Sequence, residues 1–336
     1  MTLAWVVGAG GLLGSALVRA LRRSGALLFT PRDAFAWTCE DALAEQLIAA
    51  VGEFERRGTS ATRWEIYWAA GIGTMASTDE ALASETRALA RLLDRLGSSR
   101  ALMSMRGAFG FASSAGAIYA GATDDVIDEH TAVAPTTPYA RAKLEHESRV
   151  SAFARANPNT AALLARMSTL YGTGQSRAKP QGLLTHIARA ILLNRPIRIY
   201  VPFDTIRDYI RADDAAASMV AAMRATERAP EAALEAIVRI IASETPTTIA
   251  EIIAIFNRVS RRHPRVVTST SALASVYPAR LRFRSRFAAA PQRTSFLVGV
   301  AQLLAAERLS FAAADAAMGR GSRSIGESGA SARRPT

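Results

Sequence analysis

The stretch LAWVVGAGGLLG, residues 3–14, decides the fold. The apolar run ahead of Gly8 is typical of a buried strand, and apolar residues from Leu13 to Leu21 recur at helical spacing. A glycine-rich turn between a strand and a helix brings backbone amides and the positive helix end close to phosphate groups. The stretch therefore predicts a strand, a dinucleotide-binding turn and a helix over residues 11–24.

The glycines of this turn follow the spacing G-x-x-G-x-x-G, at Gly8, Gly11 and Gly14. Glycine at the first position allows the sharp turn, the second lets backbone approach a pyrophosphate, and the third lets the helix pack closely on the sheet. Leu12 and Leu13 open the helix, where backbone amides point at the phosphates. We predict that all five residues bind the cofactor.

Strands and helices alternate along the first half of the chain. Strands are predicted at residues 3–7, 26–29, 64–69, 107–112 and 161–165, with helices between them at 41–56, 79–96 and 139–156. This order favours a parallel sheet with helices on both faces and right-handed crossovers. The predicted fold class is therefore α/β, a Rossmann-type doubly wound parallel sheet with a smaller C-terminal substrate-binding region.

The regular alternation of strands and helices ends after Gly172, and the predicted domain division lies near this point. Residues 1–170 are expected to form the dinucleotide-binding domain. Residues 171–318 form most of the substrate-binding region, with 205–242 partly returning to the main sheet. Later helices are predicted at 183–194, 213–224, 248–261 and 294–318, and strands at 197–200 and 237–242. The Gly-, Ser- and Arg-rich tail, 319–336, is predicted to be disordered.

Composition limits the classes of protein and site. A single cysteine, Cys39, excludes an internal disulfide, and the scattered histidines show no metal-binding spacing, so no metal site is predicted. With no basic leader and no long uncharged apolar run, we expect a cytoplasmic protein without a membrane span. The net charge of +12 suits a phosphate-bearing small molecule, and nucleic-acid binding is the weaker interpretation.

Tyr139 and Lys143 are the strongest catalytic candidates. The chain has only two lysines against 39 arginines, so this lysine indicates a place that needs a compact ammonium. Positions i and i+4 share a helix face, and a cation beside a phenol lowers the pKa of that phenol. The pair therefore predicts a tyrosine that exchanges protons near neutral pH; a surface contact between the two side chains is the alternative.

Arg32 follows the second strand, where NAD sites usually carry a carboxylate for the ribose hydroxyls. An arginine at this place accepts a 2′-phosphate instead. We therefore predict NADP as the cofactor, with NAD possible; a solvated arginine is the alternative.

The turn and the Tyr-Lys pair together resemble the extended short-chain dehydrogenase/reductase superfamily, and within it the NAD-dependent epimerase/dehydratase family. Four further stretches are similar to segments of that family: residues 68–71, 111–119, 166–174 and 205–210. The resemblance covers roughly residues 3 to 260.

The resemblance implies roles for individual residues. Tyr139 exchanges a proton with a sugar hydroxyl or ketone, and Lys143 holds the nicotinamide ribose. Ser114 hydrogen-bonds the same substrate oxygen, with Ser113 as the fallback. The other implied contacts are Ala69 and Ala70 with the cofactor, Thr169 with the substrate where relatives often have asparagine, and Arg207 with the nucleotide diphosphate.

The implied activity is that of an NAD(P)-dependent epimerase or ketoreductase acting on a nucleotide sugar. Ala115 and Gly116 stand where dehydratases carry an acidic pair, which argues against dehydration. Relatives often form homodimers through four helices, which here come from residues 79–96 and 139–156. A non-catalytic dinucleotide sensor and an RNA-associated relative are the alternatives.

Overall fold

The computed structural model describes residues 1–71, 73–74, 77–175, 182–228, 235–269, 280–287 and 294–324, with backbone alone for 314–324. The strands are β1 (Thr2–Val7), β2 (Leu27–Phe29), β3 (Arg63–Trp68), β4 (Arg106–Ser114), β5 (Thr160–Met167), β6 (Thr169–Tyr171), β7 (Ile197–Ile199), β8 (Ile206–Arg211), β9 (Ile237–Ile241), β10 (Pro246–Thr248) and β11 (Val266–Thr268). The helices are α1 (Leu12–Arg23), α2 (Glu40–Gly58), α3 (Asp79–Gly97), α4 (Arg100–Ser104), α5 (Ala115–Ile118), α6 (Pro138–Ala156), α7 (Leu183–Leu192), α8 (Ala212–Thr226), α9 (Ile249–Ser260) and α10 (Phe296–Ser324).

The main sheet is parallel throughout, with strand order β2-β1-β3-β4-β5-β9. The chain moves outward from β1 to β2 and then returns to the other side of β1 with β3. Ligands of open α/β sheets bind at such a reversal, at the carboxyl ends of the strands. The predicted fold class is confirmed, and the reversal places the binding crevice beside the glycine-rich turn.

Two apolar layers cover the faces of this sheet. Helices α2, α3 and α6 bury one face around Trp5, Trp64 and Phe109, while α1 and α8 bury the other around Leu17 and Met219. Side chains of a parallel strand need cover on both faces, which explains the nearly continuous apolar runs of β1 and β3. The two layers hold the carboxyl ends of β1, β3 and β4 in fixed positions.

The C-terminal region is built from short strands and three helices. Strands β10, β8 and β6 form a small sheet, and β11 pairs with β7. Helices α7, α9 and α10 share a core that includes Ile187, Phe256 and Leu303. From the same part of the chain, α8 and β9 belong to the layers of the main sheet, because β9 pairs with β5 and α8 packs on α1.

One helix of the described residues, α10, is long and apolar enough over 296–313 to cross a membrane by length and composition alone. A single such helix is weak evidence for a membrane span. Here it packs on α7 and α9, and Glu307 forms an ion pair with Arg189 at 2.7 Å.

Several predicted elements differ from those in the structure. Helix α10 continues to Ser324, into the segment that was predicted to be disordered, because the alanine-rich segment before it favours helix. Residues 325–336 lie outside the described part of the chain. The short elements α4, α5, β6, β8, β10 and β11 were not predicted, since runs of three to six residues carry little periodicity.

Candidate active site

A cavity of about 610 Å³ opens at the carboxyl ends of the main strands. Its walls come from the glycine-rich turn after β1, from Ala69 and Ala70 after β3, and from Ser113 and Ser114 at the end of β4. Tyr139 and Lys143 reach it from α6, and Thr169 from β6. The fold thus gathers most of the predicted cofactor, catalytic and substrate residues at one crevice.

The glycine-rich turn is held by close backbone contacts. Gly8 has φ of +88°, and a side chain there would come within 2.6 Å of the backbone nitrogen of Ala70. A Cβ on Gly14 would overlap the carbonyl oxygen of Gly8, so this glycine lets α1 approach the turn. The amide of Gly11 donates to the same carbonyl oxygen at 3.0 Å.

The N-terminus of α1 suits phosphate groups. Its N-cap is Gly11, which has no side chain to bond the first amides, and Leu12 and Leu13 line the cavity. Amides at a helix start lack intrahelical acceptors and favour an anion. This cradle of bare backbone, together with the cavity volume, fits a dinucleotide.

Helix α6 carries the Tyr-Lys pair. Thr137 caps it by accepting from the amide of Ala140, and Pro138 occupies its first position, so Tyr139 lies in the first turn. Lys143 follows one turn later and is 5% exposed. Its Nζ lies 5.6 Å from the centroid of the Tyr139 ring. The predicted juxtaposition of phenol and ammonium is present, and it faces the cavity.

Lys143 has a second partner that was not predicted, Glu85 of α3. The ammonium donates to Glu85 Oε1 at 2.7 Å, and both side chains are buried. Burial raises the pKa of the Glu85 carboxyl, but the Lys143 charge and hydrogen bond outweigh burial and hold that pKa below its usual value. The pair is therefore ionised at neutral pH.

The two serines at the end of β4 both line the cavity but differ in burial. Ser113 is 5% exposed, and its Oγ has no hydrogen-bond partner among the described residues. Ser114 is half-buried and serves as the N-cap of α5 without a side-chain cap bond. Their placement keeps Ser114 and its fallback Ser113 as candidates for bonding the substrate oxygen.

A buried ion pair braces α6 behind the cavity. Arg166 of β5 donates through two nitrogens to the Glu147 carboxylate and through a third to the Tyr119 hydroxyl. Burial raises the pKa of Tyr119 despite the nearby Arg166 charge. These contacts tie the middle of α6 to the sheet.

A second cavity of about 600 Å³ adjoins the first and shares Gly182 with it. Arg207 of β8 lines it, as do Arg198, His186 and Tyr200, and no carboxylate is among its described lining residues. Arg207 Nη1 donates to the carbonyl oxygen of Ile206 at 2.8 Å. The second cavity is therefore electropositive, and it separates Arg207 from the other predicted substrate residues.

Arg32 does not line either of these cavities. Its side chain is exposed and borders a small depression of about 180 Å³ with Glu45, Gln46 and Glu53. Its backbone amide donates to Glu53 at 3.3 Å. The NADP preference stays a prediction, because it depends on this one residue, whose side chain lies outside the first cavity.

The sequence matches the model of the "NAD dependent epimerase/dehydratase family" over residues 4–236. The chain belongs to this family. The resemblance drawn from the glycine-rich turn and the Tyr-Lys pair is thereby confirmed. No curated protein matches the sequence significantly.

Solved structures share the fold of this family member at low sequence identity. MoeE5 in complex with UDP-glucose and NAD has a TM-score of 0.72 at 20% identity, covering 93% of this chain and 100% of its own. The UDP-glucose 4-epimerase of Thermotoga maritima has a TM-score of 0.71 at 18% identity, covering 93% and 100%. The UDP-glucose 4-epimerase of Thermus thermophilus, in complex with NAD, has 0.70 at 18%, covering 92% and 99%.

Glu85 and Trp37 line the first cavity of this family member and were not predicted from the sequence. Glu85 falls in the apolar stripe of α3, between Leu82 and Leu89, and a carboxylate in such a stripe signals a buried partner. Trp37 also lines the first cavity, with its ring edge-on to Phe35 at 5.5 Å between centroids. It lies in an irregular segment, where no periodicity could have indicated its position.

No group of three or more His, Cys, Asp or Glu side chains that could hold a metal occurs within the described ranges. The charged side chains that line the first cavity there are Lys143 and Glu85.

Proposed function

We propose that this protein is an NAD(P)-dependent epimerase or ketoreductase of nucleotide sugars. The observation that carries the proposal is the first cavity, in which Tyr139, Lys143 and Ser114 share one space with the glycine-rich turn. A proton-exchanging phenol, a cation and a phosphate cradle at one site serve hydride transfer at a carbinol or carbonyl carbon.

The residues that would hold the dinucleotide are the backbone of Gly8, Gly11 and Leu12, the segment Ala69–Ala70, and Lys143. The bound nicotinamide would supply the hydride acceptor or donor. The phenol of Tyr139 takes the hydroxyl proton from a substrate being oxidised, or gives one to a carbonyl oxygen being reduced. Ser114 donates to that same oxygen and stabilises the negative charge that develops on it.

The second cavity supports a substrate with a diphosphate. Arg207 and Arg198 are both cationic, and a guanidinium forms paired hydrogen bonds to phosphate oxygens. Solved relatives of the same fold are described with UDP-glucose or UDP-glucuronic acid. We infer that the nucleotide and its phosphates occupy the second cavity, and that the sugar reaches past Thr169 to Tyr139.

Three further features belong to the proposal. The cofactor is NADP, on the ground of Arg32, although relatives of the same fold are described with NAD. The protein works in the cytoplasm without binding nucleic acid. It forms a homodimer through α3 and α6. The outward faces of these helices carry exposed charged residues, so the contact between protomers would be polar. The exposed arginines on these faces include Arg87, Arg91, Arg141 and Arg149.

A screen of nucleotide sugars tests the activity, monitored by nicotinamide absorbance and by the stereochemistry of the product. An epimerase returns an inverted sugar without net change in absorbance and keeps its cofactor through gel filtration. A ketoreductase consumes reduced cofactor stoichiometrically. A protein that binds dinucleotide but converts no nucleotide sugar would overturn the proposal in favour of a sensor.

The cofactor assignment is tested by comparing affinities for NADP and NAD in the wild type and in Arg32→Ala. The substitution should weaken NADP binding and leave NAD binding unchanged, because only NADP carries the 2′-phosphate. A wild type that clearly prefers NAD would overturn the assignment.

A further inference from the structure

The first cavity contains a buried ion pair at its lysine. Among its described lining residues, the ammonium of Lys143 is matched by the carboxylate of Glu85. Side-chain exposure is 7% for Lys143 and 5% for Glu85, so solvent screens the pair weakly. Where Lys143 alone would give the described lining of the cavity one positive charge, the pair leaves that lining neutral.

The Glu85 carboxylate is fixed from two sides. Lys143 donates to Oε1, and the backbone amide of Gly73 donates to Oε2 at 3.2 Å. A Cβ on Gly71 would come within 2.8 Å of Oε1, and one on Gly73 within 3.0 Å of Oε2. Glycines at both places let the chain after β3 close over the carboxylate, which holds it at the cavity wall.

The pair remains compatible with a ribose contact. A lysine ammonium carries three N–H donors, and the bond to Glu85 uses one of them. Two donors remain for hydroxyl groups and for the phenol side of the cavity. Glu85 therefore orients the Lys143 ammonium as well as neutralising its charge.

We propose that Glu85 is a positioning residue that neutralises Lys143, so that the cavity binds the oxidised, positively charged nicotinamide more tightly than Lys143 alone would allow. This inference rests on the proposed function. By linkage, tighter binding of the oxidised form makes the bound couple more reducing. The pair therefore biases the site toward reducing a ketone, which is the ketoreductase alternative.

The affinities for oxidised and reduced dinucleotide in Glu85→Gln test this proposal. Glutamine keeps the shape and can still accept from Gly73, but it leaves the cavity with one positive charge. The ratio of the dissociation constant for oxidised cofactor to that for reduced cofactor should rise about tenfold, as expected for one added charge within several ångströms. Calorimetry and reduced-nicotinamide fluorescence measure the two constants without any substrate.

The matched control is Glu145→Gln, on the helix that carries Lys143. Glu145 is exposed and pairs with Arg149, so its loss should leave the ratio within about twofold of wild type. A ratio that stays unmoved in Glu85→Gln, or moves equally in Glu145→Gln, would overturn the proposal.

Two further variants keep the test decisive if Glu85→Gln folds poorly. Lys143→Met leaves the carboxylate alone, so the ratio should move in the opposite direction, below the wild-type value. The double variant Glu85→Gln/Lys143→Met restores a neutral cavity, and its ratio should return to within about twofold of wild type. A double variant that matches either single variant would overturn charge cancellation. If the wild type bound neither oxidised nor reduced dinucleotide, the proposed function would be overturned as well. If the wild type bound both and the variants left the ratio of dissociation constants unchanged, only this inference would be overturned.

Discussion

The phenol of Tyr139 has no substitute among the described residues that line the first cavity, where Lys143 and Glu85 are already paired with each other. Tyr139→Phe removes one oxygen and leaves the glycine-rich turn and Lys143 in place. Turnover should fall about 10³-fold, the usual range for loss of a general acid–base group, while cofactor affinity changes less than about twofold. Steady-state rates and calorimetry measure the two effects.

The control for this prediction is Tyr119→Phe. It also removes a phenol oxygen, but from the brace with Arg166 behind the cavity. Its cost should be in stability, about 2 kcal/mol, because the buried and charged Arg166 guanidinium loses an acceptor, with turnover retained. If Tyr139→Phe kept wild-type turnover, residue 139 would have no part in the chemistry.

His146 makes the stability of the protein depend on pH. Burial, followed by the Lys143 charge, lowers its pKa from 6.5 to about 4. The Thr86 hydroxyl donates to Leu82 and so accepts from His146 Nε2 at 2.7 Å, while Nδ1 has no partner among the described residues. The folded protein therefore holds this imidazole neutral.

Because the folded pKa lies below the unfolded one, the unfolded chain takes up the proton first as pH falls. Stability is unaffected above pH 6.5 and is lost between 6.5 and 4, by about 2 kcal/mol from pH 7 to pH 5. Urea unfolding should show this loss in the wild type and in His130→Gln, whose side chain is exposed, but not in His146→Leu. An equal loss in His146→Leu would assign it to other groups.

At the scale of elements, the turn between β1 and α1 depends on Gly14 more than on Gly10. A Cβ on Gly14 would overlap backbone of Gly8, which has no room to move because Gly8 packs on Ala70. Gly14→Ala should cost about 1–3 kcal/mol of stability, as overpacking does, and weaken dinucleotide binding at least about tenfold. Thermal unfolding and cofactor titration measure the two losses.

Gly10→Ala is the matched control, since no atom lies within 4 Å of a Cβ placed there. Its unfolding temperature should stay at the wild-type value. Equal destabilisation by the two substitutions would mean that the turn is sensitive to any side chain, and that the contact of Gly14 with Gly8 has no special role.

Elements with strong local signals were predictable from sequence. The strands around the first cavity are short apolar runs, the helices carry a period of 3.6 residues, and the order of these elements predicted the doubly wound sheet that the structure confirms. Strands β6, β8 and β10 pair across long stretches of chain, and short runs such as Thr169–Tyr171 hold too few residues to show a period. Their small sheet could be found only from the tertiary structure.

The site was predictable to the same extent. Tyr139, Lys143 and the glycine-rich turn are recognisable because their function requires a fixed spacing along the chain, which the sequence shows directly. Glu85 was missed because its contact with Lys143 joins α3 to α6, and distance along the chain says nothing about that meeting. Arg32 was predicted to bind the cofactor because it follows β2, yet the structure places its side chain at a separate small depression, outside the first cavity.

At the scale of the whole molecule, one cavity lies beside the main sheet and the other in the C-terminal region. The first holds the Tyr-Lys pair, the second holds Arg207, and Gly182 borders both. A ligand with a reacting sugar at one end and phosphates at the other would span them. Binding at Arg207 should then be separable from chemistry at Tyr139.

Arg207→Ala should therefore raise KM and the dissociation constant of UDP about 10- to 100-fold, the range for losing hydrogen bonds between charged groups, with kcat reduced less than about threefold. Arg207→Lys should recover part of the affinity, because an ammonium keeps the charge but lacks the planar fork.

The control variant Arg258→Ala removes one charge from an exposed place on α9 and should leave both constants unchanged. Equal losses in Arg207→Ala and Arg258→Ala would assign the effect to the net charge of +12, and a fall in kcat with KM unchanged would place Arg207 at the reacting end of the substrate.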